Sequence, residues 1–259
     1  MHVNELFSLG GKCAVVIGGA GKIGFPMAEA LAEAGARVYI ASTSDANYSA
    51  AVSKLKSDGL DAEGMRMDQS SEAEVLECLD RIRETFRTPD VLVNCGVERP
   101  MRRYFDDSVD AWDRSMAVNA RGLFITCRAF ANAMAAAEGG SIINVASIYG
   151  VVAPDPLLYE GTEIQTEPDY PYTKGGMIMF SKYLASLFAK RNVRVNAIAP
   201  GGFFNDQAEP FHSQYCRKVP MGRMASHDDL KGVTVFLASR ASQYVTGVVV
   251  PVDGGFTMI

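Results

Sequence analysis

A glycine-rich turn between an apolar strand and a helix constrains this chain more than any other feature. The turn, Ile17–Gly24, follows the apolar run Cys13–Ile17 and precedes Phe25–Gly35, whose apolar residues have helical spacing. Glycines let the backbone turn tightly and approach a pyrophosphate, and the helix N-terminus offers free N–H groups. An ordinary strand–helix turn can look the same, but the strand before and the helix after are the context that a dinucleotide site requires.

The composition is that of an ordered globular protein. Hydrophobic residues make up 48% and charged residues 21% of the 259 positions. The net charge of −5 argues against a nucleic-acid partner, which requires a basic surface. No apolar run reaches membrane-spanning length, and the first residues lack a signal-peptide pattern. We therefore expect a cytoplasmic protein with no nucleic-acid or membrane partner.

The cysteines indicate reduced thiols and no metal site. They are odd in number and scattered, without a Cys-x-x-Cys pair or a Cys/His cluster. Their positions are Cys13, Cys78, Cys95, Cys127 and Cys216.

Strands alternate with helices along the whole chain, which predicts an α/β fold. The expected architecture is one doubly wound, Rossmann-like parallel sheet of about seven strands with helices on both faces. Without a linker or repeat, residues 1–259 are expected to form a single dinucleotide-binding and catalytic domain. Two long helices are predicted, at Val109–Ala137 and at about Tyr170–Arg191. Ligands of such sheets bind at the carboxyl ends of the strands.

Tyr170 and Lys174 lie four residues apart at the start of a predicted helix, so both side chains share one face. A phenol alone is a poor base near neutral pH. A lysine ammonium about 6 Å away would favour the phenolate by roughly 3 kcal/mol at an effective dielectric constant near 20. The pair therefore suits acid/base chemistry, although a surface tyrosine and lysine would give the same spacing.

Other polar residues have two interpretations each. Ser147 ends the fifth predicted strand, where its hydroxyl can bind a substrate oxygen or cap a loop. Asn119 lies in the middle of a predicted helix, an unfavourable position that a buried side chain bonded to backbone would explain. Asn94-Cys95-Gly96 can be a simple turn. The simplest interpretation of the next arginines is a solvated basic loop at Arg99, Arg102 and Arg103.

Together these residues resemble the short-chain dehydrogenase/reductase family, in its compact single-domain form, over nearly the whole chain. The matches occur in family order. Gly18–Gly24 resembles the cofactor turn, and Asn119, Ser147, Tyr170 and Lys174 fall on the catalytic tetrad. The other matches are Asp68, Val93–Gly96, Pro200-Gly201, Pro220–Arg223, Val245–Gly247 and Val252–Gly255.

The resemblance implies an NAD(P)-dependent oxidoreductase that acts on a secondary alcohol or its ketone. It implies that Tyr170 is the acid/base, that Lys174 supports it and holds the nicotinamide ribose, that Ser147 orients the substrate oxygen, and that Asn119 holds a water in a proton relay. The cofactor contacts that it implies are Gly18, Lys22, Ile23, Gly24, Ser42, Asp68, Asn94, Gly96, Tyr170, Lys174, Pro200 and Gly201.

The chain departs from the family pattern in four places. Ile17 stands where threonine is usual, Lys22 replaces a glycine of the turn, and Asn205 replaces a threonine after Pro200-Gly201. The fourth departure is an acidic insertion at about 153–169, between Ser147 and Tyr170. It carries no basic residue, and its acidic residues are Asp155, Glu160, Glu163, Glu167 and Asp169.

The insertion is expected to be a lid or an oligomer contact, with a passive surface loop as the alternative. A second segment, at about 203–219, is expected to cover the substrate. It mixes aromatic with polar side chains, which together with the arginines after the fourth strand favours a polar substrate such as a sugar or sugar acid.

Two other functions have the same fold. A non-catalytic NAD(P)-binding sensor or scaffold would have no need of the complete set Asn119, Ser147, Tyr170 and Lys174. An epimerase or dehydratase with bound NAD usually carries a sugar-nucleotide domain, for which the region after Pro200 leaves little room. The enzyme is therefore favoured.

The end of the second strand bears on cofactor choice. NAD-selective relatives have an acidic residue there that repels a 2′-phosphate, whereas this chain has Ser42, followed by Thr43 and Ser44. Lys22 could supply positive charge for the 2′-phosphate, whereas Asp45 could restore some preference for NAD. NADP(H) is expected to serve at least as well as NAD(H). Relatives of this form usually assemble as homotetramers, so a tetramer is expected.

Overall fold

Seven parallel strands form one sheet in the order β3-β2-β1-β4-β5-β6-β7 in the computed structural model, which describes all 259 residues. Because β1 has β2 on one side and β4 on the other, the direction of winding reverses beside it. This confirms the predicted doubly wound sheet. The strands are β1 Cys13–Ile17, β2 Arg37–Ser42, β3 Ala62–Arg66, β4 Val91–Asn94, β5 Gly140–Val145, β6 Val193–Pro200 and β7 Val249–Val252.

Serine side chains fix the start of several helices. Ser44, Ser71 and Ser108 each accept a hydrogen bond from a backbone N–H in the first turn of the helix that follows, a contact that contributes about 1 kcal/mol. No helix combines the length and apolarity needed to cross a membrane. The helices are α1 Val3–Phe7, α2 Gly24–Glu33, α3 Asp45–Ser57, α4 Glu72–Thr85, α5 Val109–Met116, α6 Leu123–Ala136, α7 Asp169–Phe188, α8 Phe211–Lys218 and α9 Lys231–Ala238.

Alternating side chains of the strands build a core on each face of the sheet. On one face, Val15 and Ile17 pack among residues of α4, α6 and α7. On the other, Ala14 and Val16 pack among residues of α2, α3 and α9. Full burial on both faces accounts for the continuous apolar sequence of β1.

The long helix predicted at Val109–Ala137 is interrupted. Residues Ala117–Gly122 form a π-helical segment between α5 and α6, which places Asn119 in a widened turn. π-helical turns are often found at functional sites. Three other differences concern ends and short elements: α7 stops at Phe188 before a short 3₁₀ turn, and α1 and α8 were not predicted.

A third apolar cluster joins the two segments that flank the predicted site. Leu158 of the insertion packs with Phe211 and Tyr215 of α8 and with Phe256 near the C-terminus. The Asp155 carboxylate also lies 2.5 Å from the Lys218 ammonium. Residues 153–169 and 203–219 therefore form one continuous cap beside the carboxyl edge of the sheet.

Candidate active site

A cavity of about 420 Å³ lies at the carboxyl edge of the sheet. Its lining brings together the glycine turn, Ser147, Tyr170, Lys174 and Pro200-Gly201. A second cavity, of about 390 Å³, continues from it along the edge past Gly18. The lining of the second cavity includes Ser42, Asp68 and Gly96. Most residues that the sequence pointed to as site residues thus line one of two adjoining cavities.

The glycine turn leaves donors free at the start of α2. Gly18 has φ +74°, and a Cβ there would lie 2.8 Å from the Gly96 nitrogen, so no larger residue fits. The backbone N–H groups of Lys22, Ile23 and Gly24 have no acceptor in the protein. Free N–H groups at a helix N-terminus suit a pyrophosphate, so the turn fits a dinucleotide.

The second cavity contains three residues that the family resemblance assigns to the cofactor, Ser42, Asp68 and Gly96. Asp68 is held in place because its Oδ1 accepts both the N–H and the hydroxyl of Ser70, each at 2.8 Å. Gln69, which the sequence did not single out, donates to the Val118 carbonyl at 2.8 Å and so joins β3 to the π-helical segment. Lys22 lines the catalytic cavity and not this one.

The side chain of Asn94 lines neither cavity. Its Nδ2 donates to Oδ1 of Asn144 at 2.7 Å, and Asn144 donates to the Ser181 hydroxyl at 2.8 Å. These buried side chains link β4 to β5 and α7. Of the predicted pair Asn94 and Gly96, only Gly96 faces the cofactor cavities.

Tyr170 and Lys174 share one face at the start of α7, as their spacing predicts. The Lys174 ammonium lies 5.7 Å from the centre of the Tyr170 ring and is 4% exposed. It donates to the Val145 carbonyl at 2.6 Å and has no carboxylate partner, so two of its three protons can reach a ligand. The Tyr170 hydroxyl has no hydrogen-bond partner in the protein. Both groups are free to act on what occupies the cavity.

The Ser147 side chain is held by the backbone of Tyr149. Its Oγ accepts the N–H of Tyr149 at 3.1 Å, and the residue is 5% exposed. The hydroxyl proton has no acceptor in the protein, so it can be donated to a substrate oxygen.

Asn119 lies outside both cavities. Its amide oxygen accepts the N–H of Glu98 at 2.9 Å, and its amide nitrogen donates to the Glu98 carbonyl at 2.6 Å and to the Ser115 hydroxyl at 3.0 Å. Both amide protons are therefore used within the protein. This is the arrangement of a buried side chain bonded to backbone.

The insertion forms a wall of the catalytic cavity. Tyr159, Ile164, Gln165 and Thr166 line it together with Tyr149. Nothing in the sequence indicated this wall beyond the position of the insertion next to Tyr170 along the chain.

Several carboxylates of the insertion are turned towards protein partners. Asp155 pairs with Lys218, Glu167 accepts the N–H of Tyr104 at 2.8 Å, and Asp169 accepts the Ser115 hydroxyl. These contacts hold the insertion against the rest of the protein.

The sequence also did not reveal the position of Arg99. Its guanidinium lines the catalytic cavity and lies 4.5 Å from the centre of the Tyr170 ring. It forms no ion pair and its side chain donates no hydrogen bond within the protein. The cavity thus contains a positive charge without an ion-pair partner beside the tyrosine.

Comparison with known proteins agrees with this geometry. The model of the family described as enoyl-(acyl carrier protein) reductase matches residues 18–257. The 3-oxoacyl-[acyl-carrier-protein] reductase of Chlamydia pneumoniae is 33% identical over 96% of this chain and 98% of its own. The 5-keto-D-gluconate 5-reductase of Escherichia coli K12 is 30% identical over 98% of both chains. A crystal structure of a gluconate 5-dehydrogenase from Burkholderia cenocepacia, in complex with NADP and tartrate, has TM-score 0.90 and 30% identity, with 100% of both chains covered.

The chain therefore belongs to the short-chain dehydrogenase/reductase family, as its motifs indicated. It is an NAD(P)-dependent oxidoreductase, and the cofactor supplies or accepts the hydride. The free N–H groups of the turn, Gly96, Asp68 and the Lys174 ammonium are the groups that would hold that cofactor.

Proposed function

We propose that this oxidoreductase interconverts a secondary alcohol and a ketone in a sugar acid. The observation that carries the proposal is the unpaired Arg99 guanidinium inside the catalytic cavity, 4.5 Å from the Tyr170 ring. A guanidinium binds a carboxylate through paired, charge-assisted hydrogen bonds. A substrate that carries its carboxylate at Arg99 would be held with its carbon chain beside Tyr170 and Ser147.

The proton chemistry of the proposal belongs to Tyr170, with Ser147 and Lys174. In reduction, Tyr170 donates its phenolic proton to the carbonyl oxygen, which becomes the hydroxyl, and in oxidation it accepts that proton. Ser147 donates a hydrogen bond to the same oxygen and stabilises the negative charge that develops there. The Lys174 ammonium lies 5.7 Å from the centre of the Tyr170 ring, close enough to stabilise negative charge that develops during the proton transfer.

The relatives support a polyhydroxylated substrate. The names of two matching proteins include 5-keto-D-gluconate and gluconate, both sugar acids. A matching dehydrogenase of Cereibacter sphaeroides is named for galactitol, a neutral polyol. The free charge of Arg99 favours the acid over the polyol for this chain.

The test is a comparison of substrates with both nicotinamide cofactors. We expect 5-keto-D-gluconate reduction to have a higher kcat/KM than galactitol oxidation, and acetoacetyl-coenzyme A to be a poor substrate. Arg99→Ala should lower kcat/KM for the acid roughly 10- to 100-fold, as expected for a hydrogen bond to a charged group, and change the value for galactitol less than about threefold.

Arg103→Ala is the matched control, since Arg103 is on the same loop but pairs with Asp107 at 3.9 Å outside the cavity. Equal losses for acid and polyol in Arg99→Ala would contradict carboxylate binding at this residue.

The proposed assembly is a homotetramer in the cytoplasm. An apolar stripe runs along α7, where Met179, Tyr183 and Leu187 follow one another at intervals of four and are 64%, 60% and 55% exposed. Phe124 of α6 extends the stripe through Phe180, at 6.3 Å between ring centres. Such a face is suited to a second copy related by a two-fold axis. A monomer by light scattering at micromolar concentration would contradict the tetramer.

We also propose that residues 1–259 act as one domain, in which the cap formed by 153–169 and 203–219 closes over the bound substrate. Joint protection of both segments from hydrogen exchange when substrate is added would support this, and protection of only one would contradict it.

A further inference from the structure

Three hydroxyl groups form a chain on the wall of the catalytic cavity. The Thr166 hydroxyl donates to the Tyr159 phenol at 2.7 Å, and the Tyr159 and Tyr149 phenol oxygens lie 2.5 Å apart. Tyr149 follows Ser147 by two residues, and its N–H is bonded to the Ser147 hydroxyl. Tyr159 and Thr166 come from the insertion. The hydrogen-bonded hydroxyls therefore link the insertion to the side of the cavity that holds Ser147.

The three hydroxyl groups have more protons than there are hydrogen bonds among them. Three hydroxyls carry three protons, and the two hydrogen bonds among them use two. No other acceptor in the protein bonds to either phenol. One phenolic O–H, on Tyr149 or Tyr159, is therefore left as a donor without a partner at the cavity wall.

The surroundings hold this donor rigidly and keep it protonated. The Tyr149 ring packs edge-on against Phe256 at 6.4 Å, and the Tyr159 ring lies 5.6 Å from Phe211. Burial, together with Tyr159, raises the pKa of the Tyr149 phenol far above its usual range. A fixed donor loses little entropy when it binds an acceptor, which favours selectivity.

We propose that Tyr149, Tyr159 and Thr166 recognise a hydroxyl group of the substrate that lies away from the reacting carbon. The proposal rests on the proposed function, and it adds which residues select a polyhydroxylated chain over a plain keto acid. The three groups carry no formal charge, so they suit a neutral hydroxyl, whereas Arg99 suits the carboxylate. A substrate without that hydroxyl leaves the phenol unpaired and is disfavoured.

The test compares two keto acids that differ in their hydroxyls. 5-Keto-D-gluconate and 5-oxohexanoate share the carboxylate and the position of the ketone, but only the first has hydroxyls on the chain. Tyr149→Phe and Tyr159→Phe should each lower kcat/KM for 5-keto-D-gluconate roughly 3- to 10-fold, the usual effect of one hydrogen bond between uncharged groups. Each should change kcat/KM for 5-oxohexanoate less than about twofold.

Tyr244→Phe is the control, since Tyr244 is fully exposed. Equal losses for both keto acids would mean that the phenols only support the structure, and no loss for either would mean that they do not contact the substrate. Both results overturn the proposal.

Failure of the proposed function gives a different result. In that case the unmodified enzyme turns over neither keto acid but oxidises galactitol, and the comparison is made between galactitol and 2-hexanol. A selective loss for galactitol would then support recognition of hydroxyls by these residues, and equal losses would overturn it.

Discussion

The side-chain amide of Asn119 bonds to both the N–H and the carbonyl of Glu98, at 2.9 and 2.6 Å. Glu98 immediately precedes Arg99, whose guanidinium lies over the Tyr170 ring. Asn119 can face this loop because the π-helical turn Ala117–Gly122 widens the helix around it. Asn119 therefore positions the loop that carries the free charge of the site.

Asn119→Ala removes both bonds and should loosen the loop from Gly96 to Arg99. We expect faster amide hydrogen exchange at Glu98 and a roughly 10-fold higher KM for a sugar acid, because each lost bond contributes about 1 kcal/mol. Asn132→Ala, on the exposed side of α6, is the control. A fall in kcat with unchanged exchange at Glu98 would instead favour a direct part in proton transfer.

Tyr170→Phe tests the proposed acid/base. Turnover should fall by ~10²–10⁴, the usual contribution of a positioned acid/base, while the affinity for the cofactor stays within about twofold. Tyr172→Phe is a close control, because Tyr172 is 64% exposed and packs against Trp112. Turnover of Tyr170→Phe within about tenfold of the parent would disprove the assignment.

Cys95 provides a pH-dependent test of the cofactor cavities. Burial raises the pKa of its thiol to about 11, and the nearby Lys174 ammonium opposes this only in part. Since the thiolate is the reactive form, alkylation by iodoacetamide should be slow at pH 7.5 and rise about tenfold per pH unit up to about pH 10. Cys95 lines both cavities, so saturating cofactor should protect it. Peptide mass spectrometry measures the rate, and rapid labelling at pH 7.5 would contradict the buried environment.

The parts of the fold that were predicted are those set by local sequence. Strand β1 is a continuous apolar run, and the turn at Gly18 needs a positive φ that glycine readily adopts. The Tyr170 and Lys174 pair was also predictable, because four residues along a helix fix two side chains on one face.

The remaining features depend on contacts between distant segments. Nothing local in the sequence shows that Tyr159 meets Tyr149, because the path of residues 153–169 is set by the packing of Leu158 against Phe211. The position of Arg99 also depends on a distant contact. Its loop is held at Glu98 by Asn119, which lies 21 residues after Glu98. Substrate selection was therefore the part of the site that the sequence revealed least.

We expect cofactor choice to depend on two residues that are paired between β2 and β3. Ser42 is paired with Arg66 in the parallel register, so the two side chains lie on the same face of the sheet. Arg66 is exposed and forms no ion pair. The residues that line the second cavity, which includes Ser42, contain no lysine or arginine. Arg66 is therefore the cation that we expect to meet a 2′-phosphate bound beside Ser42.

Binding of adenosine 2′,5′-bisphosphate and of 5′-AMP, measured by calorimetry, separates the 2′-phosphate from the rest of the cofactor. Arg66→Ala should lower the affinity for the bisphosphate roughly 10-fold or more, since it removes a charge-assisted contact. The affinity for 5′-AMP should stay unchanged. Ser42→Asp should also lower the affinity for the bisphosphate, because the new carboxylate repels the 2′-phosphate. It should lower kcat/KM with NADP relative to NAD. Arg83→Ala, an exposed arginine that pairs with Asp80 on α4, is the control. Unchanged bisphosphate affinity in Arg66→Ala, or a strong preference of the unmodified enzyme for NAD, would show that this strand pair does not set cofactor choice.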